Sequence, residues 1–233
     1  MIPWSISLLV LLGGLSGASA DEPRVAPQPA LNLVEQAAAA LAAGRDNEAT
    51  DLMARHVEEN PSELIVRAQL AELLFRQGYY SKARPHFERF LADAQQQPDI
   101  AFRYIIHGHS RLVAIGEKLE LSFDEHFHRG IGLYLLARRR AAESNPEGEP
   151  APAALLARAA RELQAARDES PRDARTHLHL YRVWKSLGET QSAYASLDLA
   201  DRFSPSSSLT PSEARELAEA CLTQQLFRIG PGR

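Results

Sequence analysis

The chain has a single cysteine, Cys221, among 233 residues, so no intrachain disulfide can staple it. Its stability must come from packing, and Cys221 reads as a small buried residue of the last helix. Aromatic residues make up only 7% of the sequence, and strand-forming runs are sparse. With Ala and Leu dominating the middle and the end, that argues against a β-sandwich or barrel and leaves helices. An excess of positive charge is also missing: the formal net charge is −4 and the pI is near 6.1. This balance argues against a general nucleic-acid binder, whose affinity comes from Lys and Arg neutralising phosphates. There is no phosphate-cradling P-loop, no serine-nucleophile motif, no His-Glu-x-x-His and no cysteine–histidine pairing. Catalysis has no candidate residue, and no cofactor is expected.

Charge is absent altogether from side chains 1–20, MIPWSISLLVLLGGLSGASA. The short apolar run centred on Leu8–Leu12, followed by Ala18-Ser19-Ala20 before Asp21, reads as a secretory signal peptide cleaved after Ala20. The run falls short of the roughly 20 apolar residues of a spanning helix. No cysteine follows it, which argues against a lipid anchor. The expectation is an exported protein, periplasmic or secreted, with no membrane span after cleavage. Residues 21–30 are Pro-rich and aperiodic, as in a flexible leader.

From Leu31 the same features recur in step. Gly44 and Gly78 stand 34 residues apart, as do Ala37 and Ala71, Ala49 and Ala83, and later Pro171 and Pro205. Ala83-x-x-x-Phe87 follows the second glycine, and Pro61 closes the first unit. Ala174–Pro205 carries Leu180 and Trp184 in a first helix, then Gly188, then Ala193, Leu197 and Ala200 in a second. Glycine at a chain reversal tolerates the left-handed conformation, small Ala lets two helices approach, and Pro stops the second helix. Residues 31–97 thus read as two repeats and 153–209 as further helices with one well-matched repeat.

The middle is irregular. Residues 98–142 read as a long helix pair, with Gly116 at the turn and a connection about five residues longer than in the flanking units. A Pro/Glu/Gly loop spans 143–152. The Leu155–Glu169 helix needs a first helix, and Ile131, Gly132 and Leu135 suit that role. Phe102–Ile115 then lacks a partner, so either one helix is odd or one is shared between two blocks. Thr210-Pro211-Ser212-Glu213 starts a capping helix over 210–227, with Glu213 three residues after the cap.

Three His-x-His pairs occur: His107/His109, His126/His128 and His177/His179. Helical residues two apart point about 200° from one another, so neither member can share an ion with its neighbour. Glu125 and His128 share a face, as in di-metal bundles, but such sites need a second Glu-x-x-His and further Glu residues. A metal-binding or enzymatic protein built on these central helices is therefore the alternative, and no metal site is the expectation. Gly130-x-Gly132 lies within a helical pattern, which fails the context test for a dinucleotide fingerprint and reads as close helix packing. Arg138-Arg139-Arg140 reads as a solvated helix end.

The spaced glycines, alanines and prolines resemble the tetratricopeptide repeat (TPR), a helix pair of about 34 residues. The resemblance covers about two thirds of the mature chain, strongly at 31–95 and 172–205. It implies an all-α, TPR-like solenoid of antiparallel helix pairs, with an irregular middle and a C-terminal capping helix. Tyr181 departs from it, standing where the family prefers Gly or Ala, which implies wider helix spacing. The family grips partners with first-helix side chains. By register these are Ile65, Ala68, Glu72, Phe75 and Arg76 in the second repeat, and Arg175, Leu178, Arg182, Lys185 and Ser186 in the best one. Arg103 and Ile106 join them from the middle. The family's Lys/Asn carboxylate clamp is absent, with Val34 and Ala38 in two of its slots. The implied function is a protein-interaction or assembly module of a bacterial cell envelope. It would hold an acidic segment of a protein partner, with no nucleic acid involved.

Overall fold

The computed structural model describes residues 32–97, 100–143, 151–207 and 209–229. The expected signal peptide, the leader and most of the 143–152 loop lie outside the described residues. Among them the regular structure is helical throughout: α1 (Leu33–Ala42), α2 (Asp46–Glu59), α3 (Leu64–Arg76), α4 (Tyr80–Ala94), α5 (Phe102–Leu119), α6 (Ser122–Ala142), α7 (Pro152–Glu169), α8 (Ala174–Leu187), α9 (Thr190–Phe203) and α10 (Pro211–Ile229). A 3-10 turn at Ser204–Ser206 follows α9. No described helix is long and apolar enough to cross a membrane.

Each helix packs mainly on its neighbours in sequence, which is the solenoid pattern. The α1/α2, α3/α4 and α8/α9 pairs reverse at Gly44, Gly78 and Gly188, whose φ angles are 70°, 80° and 79°. Ala37, Ala71, Ala49 and Ala83 are at most 1% exposed, so the small side chains sit at the contacts the spacing assigns them. The fold is a TPR-like α-solenoid.

The middle departs from the sequence expectation in two ways. Gly116 is not a turn residue. It lies inside α5, and a Cβ there would come within 2.9 Å of the Glu125 backbone nitrogen on α6. The connection is not long either: Glu120 and Leu121 alone join the helices, with Glu120 itself in the left-handed region at φ 57°. The question of the partnerless helix is resolved by sharing. α6 packs against α5 on one side and against α7 on another. Gly116 admits the first contact; Gly130 admits the second, where a Cβ would meet Leu163 Cγ at 2.6 Å.

Buried apolar residues form separate groups. One fills α1–α5 around Phe87, Phe90 and Leu112. A second joins α6, α7 and α8 around Phe127, Leu163 and Val183. A third lies under α10, around Leu178, Leu197 and Leu217. α10 starts with a reciprocal cap: Glu213 N–H donates to Thr210 Oγ1 (3.2 Å), and Thr210 N–H donates to Glu213 Oε2 (2.8 Å).

Candidate functional site

Between these groups lies a cavity of about 1060 Å3, bounded by α4, α5, α6, α8 and the start of α10. Its walls carry charge because the residues facing it lie on polar stripes of five amphipathic helices. Arg84 of α4 reaches Asp124 of α6 (Nη2 to Oδ2, 2.8 Å) and Glu88 on its own helix (2.9 Å). Arg182 of α8 grips Glu216 of α10 with two parallel bonds, 2.9 Å and 2.6 Å. Such a fork is the stronger form of an arginine–carboxylate contact.

One histidine from each His-x-His pair faces this cavity: His109 from α5, His128 from α6 and His179 from α8. Their partners turn away to other groups, His107 to Glu72 (2.9 Å), His126 to Glu162 (2.8 Å) and His177 to the Pro171 carbonyl (2.8 Å). The 200° offset within a pair allows only one member to face inward. It does not prevent three helices from each supplying one, and that convergence is what comparison within each pair misses.

His109 and His128 meet with their Nδ1 atoms 3.2 Å apart. Burial, then the nearby His179, pushes His109 down to about 3. Burial, then His109, Arg175, His179 and Arg84, holds His128 well below its ordinary value. Both rings are therefore neutral near pH 7, and one Nδ1–H donates to the other nitrogen. His179 is held low by burial and by Arg182, although Glu213 and Glu216 oppose this. Arg182 Nη1 lies 3.1 Å from His179 Nδ1, which makes that nitrogen the acceptor, and Nε2 lies 3.6 Å from Glu213 Oε1. Burial pushes Glu213 up, but His179 and the two Thr210 contacts outweigh it and hold the carboxyl at about 2. Asp124 is raised by burial against the pull of Arg84 and Arg175.

Phe127 supports the site. Its ring meets His128 and His179 edge-on at 5.2 and 5.5 Å, and the Arg175 guanidinium lies 5.1 Å above it. Arg175 Nε also lies 3.2 Å from Asp173 Oδ1. Arg138 and Arg172 line the cavity from exposed positions and make no ion pair among the described residues.

The residues assigned to a partner face fall in different places. Arg175 and Arg182 line the cavity. Leu178 does not: it is fully buried among Leu197, Ala200 and Leu217, and offers no surface to a partner. Glu72 accepts two bonds from Arg111 (2.8 and 2.7 Å) besides that with His107, and Arg111 covers Phe75 at 4.4 Å. Those two residues are thus engaged within the chain. Ile65 is half-buried, while Arg76, Arg103 and Lys185 are exposed away from the cavity lining. Lys185 Nζ lies 3.2 Å from the Tyr181 hydroxyl. Glu125 does not meet His128; its carboxylate binds Arg129 at 2.7 Å. No group of three or more His, Cys, Asp or Glu among the described residues has the arrangement of a metal site.

Neither a protein-family model nor a curated protein sequence matches the chain. Similar solved structures include MamA (41-end) from Desulfovibrio magneticus RS-1, at 15% identity over 75% of this chain and 94% of that one, TM-score 0.33. A second MamA structure shares 9% identity over 73% and 95% of the chains, TM-score 0.35. YrrB, described as "a TPR protein with an unusual peptide-binding site", shares 14% identity over 74% and 85%, TM-score 0.35.

Proposed function

We propose that the chain is a non-enzymatic interaction module that receives an acidic segment of another protein at the mouth of the α4–α10 cavity. The carrying observation is the pair of exposed arginines, Arg138 and Arg172, which line that mouth without an ion pair among the described residues. Arg84, Arg175 and Arg182 behind them are each paired with a carboxylate of the same cavity, so the unpaired positive charge lies at the mouth, although the whole chain is acidic. Rim charges of this kind steer encounter and select partner sign more than they add affinity. The uncharged apolar run in residues 1–20 supports a module of the cell envelope, exported with cleavage after Ala20.

The test is charge reversal where no ion pair is lost; Arg138 gives up only its place over the Tyr134 ring. Arg138→Glu with Arg172→Glu leaves the fold intact and removes partners captured from envelope extract by the wild-type chain. Capture of the same partners by the double variant would refute the reading.

A further inference from the structure

The last helix, α10, departs from what the end of an array requires. A terminal helix keeps a solenoid soluble by turning a polar face outward. The inner face of α10 buries Leu217 and Gln224, each 4% exposed, and its start meets the cavity with Glu213 and Glu216. At 3.6 residues per turn, Ala218, Leu222 and Leu226 form one stripe on the opposite side. Ala218 is exposed, Leu222 is 59% exposed and Leu226 66%. Among the described residues, Tyr79 is the other large apolar side chain left open to solvent. A single exposed leucine is ordinary on a surface; two of them one turn apart, on the helix that should be polar outside, mark a contact face.

The stripe fits a second copy of itself. Ala218 stands four positions before Leu222 and Leu226 four positions after it. When two α10 helices cross antiparallel on a two-fold axis at Leu222, the two Leu222 side chains meet on the axis. Leu226 of each copy then lies over Ala218 of the other. A large side chain faces a small one twice, which is how helix surfaces interdigitate. Charge agrees with this pairing. The charged residues flanking the stripe are one cation, Arg215, and one anion, Glu219, both exposed. The face is therefore balanced and does not repel its own copy, although the whole chain carries −4. A lipid surface selects a helix bordered by Lys and Arg, and Glu219 stands at this border. The leader supplies no plug, since Val25 is the one branched apolar side chain in residues 21–30.

We propose that the chain pairs with a second copy through the outer face of α10, antiparallel about Leu222. Such a contact uses the same patch on both subunits and closes, so it yields a dimer and not a filament. One helix against one helix is at the small end of specific interfaces, and dissociation in the micromolar range is expected. Glu213 and Glu216, on the cavity side of α10, take no part in it.

Sedimentation velocity and light scattering on the full chain, over a micromolar concentration series, would test it. A concentration-dependent dimer is expected. Leu222→Glu, at an exposed position that leaves the circular dichroism unchanged, should raise the dimer dissociation constant at least about tenfold, because each copy would bring an unpaired carboxylate into the contact. Leu226→Ala should weaken the dimer. Adding Ala218→Leu to it should restore the dimer, since the large side chain then returns from the opposite helix. Arg138→Glu with Arg172→Glu should leave the dimer unchanged, which keeps this result apart from the reading of the cavity mouth. A chain monomeric at the highest concentration, a dimer indifferent to Leu222→Glu, or no recovery in the Ala218→Leu, Leu226→Ala variant would each overturn the proposal. So would a monomer whose α10 face captures a different protein. Residues 1–20 are the same in every variant, so association through their apolar run would survive Leu222→Glu and count against the proposal.

Discussion

His109 on α5 and His128 on α6 face each other with Nδ1 atoms 3.2 Å apart, both nearly sealed from water. They stand where the apolar packing of α1–α5 ends and that of α6–α8 begins. A polar contact thus joins two hydrophobic blocks, and its protonation state bears on how firmly they hold together.

The pH dependence follows from the direction of these shifts. An unfolded histidine titrates near 6.5, whereas folded His109 is pushed down to about 3. Below 6.5 the unfolded chain binds more protons, so stability is full above that pH and declines as it falls toward 3. His128 acts in the same sense. Asp124, raised by burial, opposes the loss around the ordinary aspartate range, while Glu213 adds loss between 4.5 and about 2. Urea midpoints are expected to fall steadily from pH 7 to pH 4. The His109→Leu, His128→Leu double variant should reduce the slope between 6.5 and 4.5, with His179 and His86, also held low by burial, supplying the remainder; an unaltered slope would show that the pair does not contribute.

Two glycines two residues apart should respond oppositely to alanine. At Gly130 a Cβ would lie 2.6 Å from Leu163 Cγ and 3.2 Å from the Leu163 backbone nitrogen. The side chain can shift but the backbone cannot, so overpacking of about 1–3 kcal/mol exceeds the helix-propensity gain of about 1 kcal/mol. At Gly132 the nearest atom is His109 Cβ at 3.9 Å, an ordinary contact. Denaturation should show Gly130→Ala less stable and Gly132→Ala more stable than the parent.

Backbone conformation yields a second such pair. Glu120 adopts φ 57° and ψ 38° at the end of α5, a region costing a non-glycine residue roughly 1–2 kcal/mol. Glu120→Gly should raise stability by about 0.5–1 kcal/mol after the added unfolded-state entropy of glycine. Gly188→Ala, at φ 79°, should lower it by about 1 kcal/mol. Thermal melts of both variants measure the signs.

α10 is held through Arg182, whose fork to Glu216 has an arginine side chain 16% exposed. Arg182→Met removes two charged hydrogen bonds and the donor to His179. A loss of about 1.5–3 kcal/mol is expected, with α10 cleaved first in limited proteolysis. Uniform cleavage along the chain would show that the fork does not anchor this helix.

The repeat architecture was legible because it is written in residues with one physical use. Gly44, Gly78 and Gly188 mark reversals, and Ala37, Ala71, Ala49 and Ala83 mark close contacts. The middle was legible only at Gly130, whose close helix approach the helical pattern implied. Gly116 serves close approach instead of turning, while Glu120 takes the left-handed turn with no sequence signal. The cavity was legible only in part. Arg175 and Arg182 follow from repeat register, but Leu178 is drawn into the core beneath α10. The meeting of His109 with His128 depends on how α5 and α6 are rotated about one another, which local spacing does not encode.

The approach of Thr210 to Gln95 has a bearing on how such a chain can evolve. An open array tolerates gain or loss of a unit, because its two ends never meet. Here α4 and the start of α10 are neighbours across the intervening helices, so one helix pair more or fewer would part them. The number of rods between them is constrained by geometry, as the number of staves is in a cask.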